Sequence, residues 1–358
     1  MKIGIITFHR AVNYGAILQL WALYTYLRNI GHDVFVIDYR CQSVEDTYKI
    51  ISFDILRRKK TRGKIDYLLS HIMNIWNIRS RNIKFNSFLQ EKFNFLSVNQ
   101  IPTMDIVIAG SDQIWNPYLT NGLDEFYTLQ NCLFDKVRKI GYAISGEPSC
   151  FSQDTLKEIG EIVNSFNYFS VREKNLCNLF QKYTYKKISL CVDPTLLLSS
   201  ETWGTLKFEK VINEKYLFVY QVIQSPITMQ IADSLAKRKG LKLIYLNSKY
   251  SIRWKEKNIK RSIGPVEFIS LIQYADFVIT TSFHGTALSL VMKKQFAVIE
   301  TSNMNRQKEL LKILSLDNRI IKQCSDICKA EYFIEYDKIN VKTVSLISQR
   351  FLKESCHD

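Results

Sequence analysis

The first forty residues leave this chain few ways to fold. Lys2-Ile-Gly-Ile-Ile-Thr-Phe8 is a short apolar run with the composition of a buried strand. A polar loop follows from His9 to Tyr14. Then Ile17, Leu20, Trp21, Tyr24, Leu27 and Ile30 recur at the three- and four-residue spacing of a helix. Gly31-His32-Asp33 ends that helix, and Val34-Phe-Val-Ile-Asp38 makes a second strand. Strand, helix, strand at this length is a βαβ unit. It requires parallel pairing and a right-handed crossover, which places the chain in the α/β class.

The same rhythm continues. Further strands are expected at 105–109, 139–144, 168–171 and 188–192, until Asp193-Pro194-Thr195 breaks the pattern. A second α/β series opens with the strand 216–222. It runs through a helix at 226–239, a strand at 242–246, a helix at 265–274 and the strand 276–281. Two α/β lobes are therefore expected, 1–203 and 204–358, and 358 residues are enough for two cores. The tail 341–354 has helical periodicity, with the first lobe as its packing partner.

Residues from about 40 to 100 stand apart as a helical insertion in the first lobe. Between 40 and 92 there are twelve Lys or Arg against five Asp or Glu, mixed with Leu68, Leu69, Ile72, Ile75, Trp76 and Ile78. This reads either as a solvated helical face or as a basic, aromatic-bearing patch that docks on anionic lipid headgroups. Arg57, Arg58, Lys59 and Lys60 are its densest run of charge.

The whole chain carries a net charge of +15, which favours anionic partners: nucleic acid, phosphorylated substrates or an acidic membrane surface. No nucleic-acid-binding module or clustered aromatic platform is recognisable, so nucleic acid is not expected. The opening apolar run is too short for a signal-peptide core. The two longest stretches free of Asp, Glu, Lys and Arg, 11–27 and 277–292, contain polar residues and fall short of the roughly 20 apolar residues of a membrane span. A cytoplasmic protein is expected, either free or in peripheral contact with an anionic membrane at its inner face. The eight cysteines then read as reduced thiols. Cys324 and Cys328 have no second pair to complete a metal set, so no metal is expected. There is no G-x-G-x-x-G and no Walker lysine, and no cofactor is expected.

Ligands of open α/β sheets bind beyond the carboxyl ends of the strands. The unusual loops of this chain, 9–15, 110–117, 145–149 and 282–286, all follow expected strands. Asn13-Tyr14-Gly15 joins the first strand to the first helix. It is either an anion site made of free backbone amides or a plain βα turn. Ser111, Asp112 and Gln113 form a polar cluster suited to hydrogen-bonding a sugar, with Trp115 to cover an apolar sugar face; alternatively Asp112 caps the turn. Arg172 has the planar fork that binds both oxygens of a carboxylate or phosphate, or else pairs with Glu173 or Asp193.

The strongest candidate is Thr280-Thr281-Ser282-Phe283-His284-Gly285-Thr286. An apolar strand delivers His284 to a loop, Gly285 allows a tight turn, and a helix is expected to begin at Thr286. Histidine titrates near neutrality and exchanges a proton at working pH. The Ser282 and Thr286 hydroxyls and the neighbouring amides are suited to a phosphate.

Five segments taken in order resemble the motifs of the polysaccharide pyruvyltransferase family. They are Asn13-Tyr-Gly-Ala with Leu18-Gln19, Gly110-Ser-Asp-Gln-Ile-Trp-Asn-Pro117, Ser170-Val-Arg-Glu173, Asp193-Pro-Thr-Leu-Leu197 and Ser282-Phe-His-Gly-Thr286. The resemblance runs from about residue 1 to 300. It implies a GT-B-like fold, with two Rossmann-like lobes whose parallel sheets face across a central cleft. It also implies transfer of pyruvate from phosphoenolpyruvate to two hydroxyls of a sugar acceptor, free or lipid-linked, forming a cyclic ketal in capsule, exopolysaccharide or cell-wall glycans. On this resemblance His284 is the general acid and Arg172 a donor-binding arginine. Many members carry Arg-x-His-Gly where this chain has Ser282-Phe283-His284-Gly285, which leaves Arg261, Arg306 or a lysine as candidate sources of that charge. The alternative function is a GT-B glycosyltransferase using a nucleotide sugar, with Asp112 or His284 as base.

Overall fold

The structure is a computed structural model that describes residues 1–48, 61–247, 259–302, 304–330 and 333–357. The basic run Arg57–Lys60 lies outside the described residues. The chain forms two compact units, each on its own parallel sheet.

Unit one comprises Met1–Lys49, Leu89–Leu198 and Val344–Asp358. Among the described residues its sheet has seven strands: β1 (Lys2–Ile6), β2 (Asp33–Ile37), β3 (Phe95–Leu96), β4 (Ile106–Asp112), β5 (Arg138–Ile144), β6 (Tyr168–Val171) and β7 (Ser189–Leu190). Their order is β3-β2-β1-β4-β5-β6-β7, and all pairs are parallel. The central strands read as near-continuous apolar runs because helices cover both faces of such a sheet. In β4, Ile106, Val107, Ile108 and Ala109 are all fully buried. The chain steps outward from β1 to β2 and then returns to place β4 on the other side of β1. The carboxyl ends of β1 and β4 therefore flank a topological switch point.

The helix Tyr14–Asn29 is buried on nearly every side, from Tyr14 to Tyr24 and again at Tyr26 and Leu27. Its residues already read as an apolar helix, but a stripe on one side was all the spacing required. The fuller burial has a cause far along the chain. The helix Val341–His357 belongs to unit one from Val344 onward. There the Tyr26 hydroxyl donates to the Gln349 carbonyl at 3.4 Å, Gln349 Nε2 donates to the Leu197 carbonyl at 3.3 Å, and Ser348 Oγ accepts from the Val192 amide at 2.8 Å. Phe351 meets the rings of Tyr142 and Tyr168.

Unit two comprises Ile50–Phe88 and Ser199–Thr343. Its described strands are β8 (Tyr216–Gln221), β9 (Lys242–Asn247), β10 (Ile259–Lys260), β11 (Phe277–Thr280), β12 (Phe296–Ile299) and β13 (Ile320–Ile321), again wholly parallel, in the order β10-β9-β8-β11-β12-β13. Its switch point lies between β8 and β11. Leu217, Val219, Ile279 and Ala297 form the centre of its core.

The basic insertion is helical, as the helices Thr61–Met73 and Ile75–Lys92. Through Phe88 it groups with unit two, not with the lobe that precedes it in sequence. Polar contacts hold it there. Lys84 Nζ meets Glu267 Oε1 at 2.5 Å, and Arg261 Nη1 donates to Asn74 Oδ1 at 3.0 Å. Sequence order assigns an insertion to the strands around it, whereas the partners that decide its place lie some 180 residues away.

Leu352 is fully buried in the C-terminal helix. Replacing it with Ala is expected to destabilise unit one by about 2–5 kcal/mol. Denaturant unfolding, with hydrogen exchange reporting on each unit, checks this; an unchanged midpoint would show that the helix is dispensable to the unit-one core.

Candidate functional site

The carboxyl edge of unit one is built on the loops after β1, β2 and β4. Asp38, just past β2, accepts from Arg10 Nη2 at 2.7 Å through Oδ2 and from Arg10 Nε at 3.0 Å through Oδ1, and it meets His9 Nε2 at 2.9 Å. Loop 9–15 is thus pinned by a charged clasp. The Thr7 hydroxyl donates to the Ser111 carbonyl at 2.9 Å, joining this loop to the end of β4. Asn13 caps the helix Tyr14–Asn29, its Oδ1 accepting from the Gly15 amide at 2.9 Å, while Tyr14 and Gly15 are buried in the first turn. The Asn13 side chain is therefore occupied as a cap.

At the end of β4 the Gly110–Ser111 peptide is cis and Asp112 has φ 82. For a residue with a Cβ that is a left-handed conformation, tolerated by Asp better than by most. It leaves the Asp112 carboxylate half-buried and without a hydrogen-bond partner among the described residues. Gln113 Oε1 accepts from Asn116 Nδ2 at 2.8 Å. The Ser111 hydroxyl is buried and donates to the Ala143 carbonyl at 2.9 Å.

Arg172 lies beneath this edge. Its side chain is 3% exposed; it pairs with Asp193 Oδ2 at 2.8 Å, donates to Gln19 Oε1 at 3.2 Å and to Ser111 Oγ. Asp193 in turn accepts from the Thr195 amide and hydroxyl. Four of the motif segments, around 19, 111, 172 and 193, are thus tied together by one buried network. Of the two partners considered for Arg172, it takes Asp193, inside the protein and not at its surface. Glu173 accepts instead from the Ser145 hydroxyl at 2.6 Å.

Trp115 requires a correction. It is fully buried, its Nε1 donates to the Tyr127 carbonyl at 2.8 Å, and its ring packs on Phe166, Phe169 and Phe180. A tryptophan with both its faces and its N–H engaged in the core cannot cover a sugar.

In unit two the helix Phe283–Val291 begins three residues earlier than the sequence suggests. Ser282 is its cap, Oγ accepting from the Gly285 amide at 3.4 Å, and the Thr286 hydroxyl bonds back to the Ser282 carbonyl at 3.0 Å. His284 is therefore in the first helical turn, not in a loop, and is partly exposed. Gly285 serves packing more than turning, since a Cβ there would meet Thr280 Oγ1 and the Tyr220 ring. The Thr286 hydroxyl is committed to the backbone; Ser282 keeps its hydroxyl proton to give.

Sequence reasoning names Arg306 without placing it and misses Gln221 and Gln307. Arg306 reaches from the helix Asn305–Ile313 to set its guanidinium 5.7 Å from the centre of the Phe283 ring. Gln221 ends β8, and Gln307 Nε2 donates to the Thr281 carbonyl at 3.4 Å. Gln221 Nε2 and Gln307 Oε1 are both buried without a partner among the described residues. Such atoms are uncommon, and at a strand edge beside a helix N-terminus they suit a bound polar group. The available signal was a glutamine closing an otherwise apolar strand. Arg261, the other candidate cation, is engaged with Asn74.

Two outcomes follow from the unit-one geometry. Removing Arg172 with Ala strands Asp193 in the interior and should destabilise the fold by about 3–5 kcal/mol, read by chemical denaturation. The hydrogen bond from His9, with Arg10 beside it, holds the Asp38 carboxyl well below the usual range despite partial burial. The stabilisation from its charged form is therefore complete above the unfolded value of about 4 and falls away as pH drops below that. Asp38→Asn should be less stable than the wild type at neutral pH, with the gap narrowing in acid. Melting curves across the acid range would refute the clasp if the gap stayed constant.

A comparison with curated proteins finds no match in sequence. Solved structures of similar fold include an S. aureus MnaA structure with UDP, 13% identical over 98% of this chain and 94% of that one, with a TM-score of 0.50. A UDP-GlcNAc 2-epimerase from Methanocaldococcus jannaschii is 13% identical over 99% of this chain and 100% of that one, also with a TM-score of 0.50. At this identity they show the fold, which is GT-B-like with two parallel-sheet α/β domains. The family model for polysaccharide pyruvyl transferase matches residues 13–303, a span that takes in the Asn13 cap, the Arg172–Asp193 network and the His284 helix. The chain belongs to the polysaccharide pyruvyl transferase family.

Proposed function

We propose that this protein transfers pyruvate from phosphoenolpyruvate to two hydroxyls of a sugar, forming a cyclic ketal in a capsule, exopolysaccharide or cell-wall glycan. The observation that carries this reading is His284, presented partly exposed in the first turn of a capped helix at the carboxyl end of β11. That position combines an imidazole, which can give or take a proton, with backbone amides directed at an anion.

The chemistry proceeds in balanced steps. The His284 imidazolium gives its proton to the methylene carbon of phosphoenolpyruvate, and positive charge builds at the central carbon. A sugar hydroxyl attacks that carbon and loses its proton. Departure of phosphate then allows a second hydroxyl of the same sugar to close the ketal, with loss of a second proton. Arg306, the amides of the first helical turn and the buried Gln221 Nε2 hold the donor's carboxylate and phosphate. Arg306 fills the charge requirement met in many family members by an arginine two residues before the histidine.

In unit one, Asp112 and Gln113 have the polar character to bind acceptor hydroxyls. Arg172, buried against Asp193, is a positioning residue: it holds Ser111 and Gln19, and through them the β4 loop. Among the described residues no helix is long and apolar enough to cross a membrane. The proposed setting is the cytoplasm, at the inner face of the membrane, where a lipid-linked acceptor is within reach.

His284→Gln should keep the fold while lowering turnover by at least about a hundredfold, in line with loss of a positioned general acid. The assay follows the acceptor glycan by mass after incubation with phosphoenolpyruvate, where the gain is one pyruvate less one water. Near-normal turnover in the variant rules out the acid assignment, and a hexose gain from a nucleotide sugar would rule out the donor.

A further inference from the structure

The two helices of the insertion are turned inside out. Facing unit two are Tyr67, Ser70, Asn74 and Ile78, and the small polar members bond among themselves. Ser70 Oγ donates to the Tyr67 carbonyl at 2.9 Å, Asn74 Nδ2 to the Ser70 carbonyl at 2.7 Å, and Asn74 Oδ1 accepts from Arg261. Facing outward are Ile65, Leu69, Ile72, Met73 and Trp76, the last three exposed by 60%, 72% and 76%. Their spacing along the chain is helical, so they form one continuous stripe and not scattered surface residues. An apolar stripe of this kind left open to water marks an interaction surface.

Charge identifies the partner. Lys64 is exposed near one end of the stripe and Arg79 near the other, with the Arg79 guanidinium 5.6 Å from the centre of the Trp76 ring. The chain as a whole is strongly cationic. An indole with a cation over it, at the end of an aliphatic stripe, matches the boundary between acyl chains and anionic headgroups: the apolar residues enter, and the cations stay at headgroup level. A second copy of the chain fits less well. An isologous contact would bring the same cations together with no acidic partner on the stripe. We infer that the stripe Ile65, Leu69, Ile72, Met73, Trp76, with Lys64 and Arg79, is a docking face for an anionic lipid bilayer. It gives a surface to the membrane setting proposed above and rests on no part of the donor chemistry.

The test uses the full chain and two vesicle preparations, phosphatidylcholine alone and phosphatidylcholine with phosphatidylglycerol, in co-sedimentation. Wild type should bind the anionic vesicles more tightly than the neutral ones, and the preference should shrink with salt. The triple variant Leu69→Ser, Ile72→Ser, Trp76→Ser should bind anionic vesicles at least about tenfold more weakly. Lys64→Gln with Arg79→Gln should lose the anionic preference. All variants should melt near wild type, because the altered side chains are exposed. They should also turn over a soluble acceptor at the wild-type rate, so failure of the transferase reading leaves the vesicle result intact. Equal binding by wild type and triple variant overturns the proposal, as does absence of binding by wild type. A wild-type dimer that the triple variant abolishes, without vesicle binding, assigns the stripe to a second copy and equally overturns it.

Discussion

In a wholly parallel sheet every strand leaves by the same edge, and each must be followed by a crossover before the next can begin. In both units this constraint gathers the loops that carry polar chemistry at one edge and hides the return connections in helices. The β1–β4 switch point collects Asp38, Asn13, Asp112 and the Arg172 network, and the β8–β11 switch point collects Gln221, Ser282 and His284. Strands covered on both faces consist of apolar residues with nothing to spare for recognition. Specific chemistry is therefore confined to the last residue of a strand and the first turn of the helix that follows, as at Gln221, Asp112 and His284.

The same arrangement explains why so much of the polar machinery of unit one is buried. The Arg172–Asp193 pair removes two charges from water, and a well-packed apolar pair would often serve stability as well or better. What it adds is definition. Arg172 meets a glutamine from the first helix, a serine from β4 and an aspartate after β7, so three separate stretches of chain share one arrangement. Residues that recur together as sequence motifs need not all touch a ligand; some fix the loops that do. Trp115 makes the same point through packing, since it lies inside a polar motif and serves only the core beneath it.

Where one residue answered to one requirement, the sequence was legible. β1, the helix after it and β2 fall within a residue or two of their expected limits, because a doubly covered strand and a buried helix declare themselves by apolar spacing alone. The expected strand 188–192 shrinks to Ser189–Leu190, since an edge strand pairs on one side only. The helical character of the insertion is legible but its grouping with unit two is not, because its anchors at Arg261 and Glu267 are local in space and remote in sequence. A solvated face and a lipid-docking patch both stay open for it on sequence for a related reason: periodicity shows that a helix has two faces but not which of them the protein covers.

The helix start at Phe283 is the most instructive difference. A polar-aromatic stretch with a glycine reads as a loop, yet Ser282 is a strong capping residue, and a cap three residues before Gly285 lets the helix begin at once. This bears on why serine stands where many family members have arginine. A guanidinium has no lone pair to accept from the Gly285 amide, so an arginine at this position would leave the cap bond unmade. With serine the helix gains its cap, His284 is fixed in the first turn, and the positive charge comes from elsewhere. Arg306, arriving from the next helix and lying against Phe283, is the residue proposed to provide it. On the proposed reading, serine at this position supplies the cap and Arg306 on the neighbouring helix, lying against Phe283, supplies the charge.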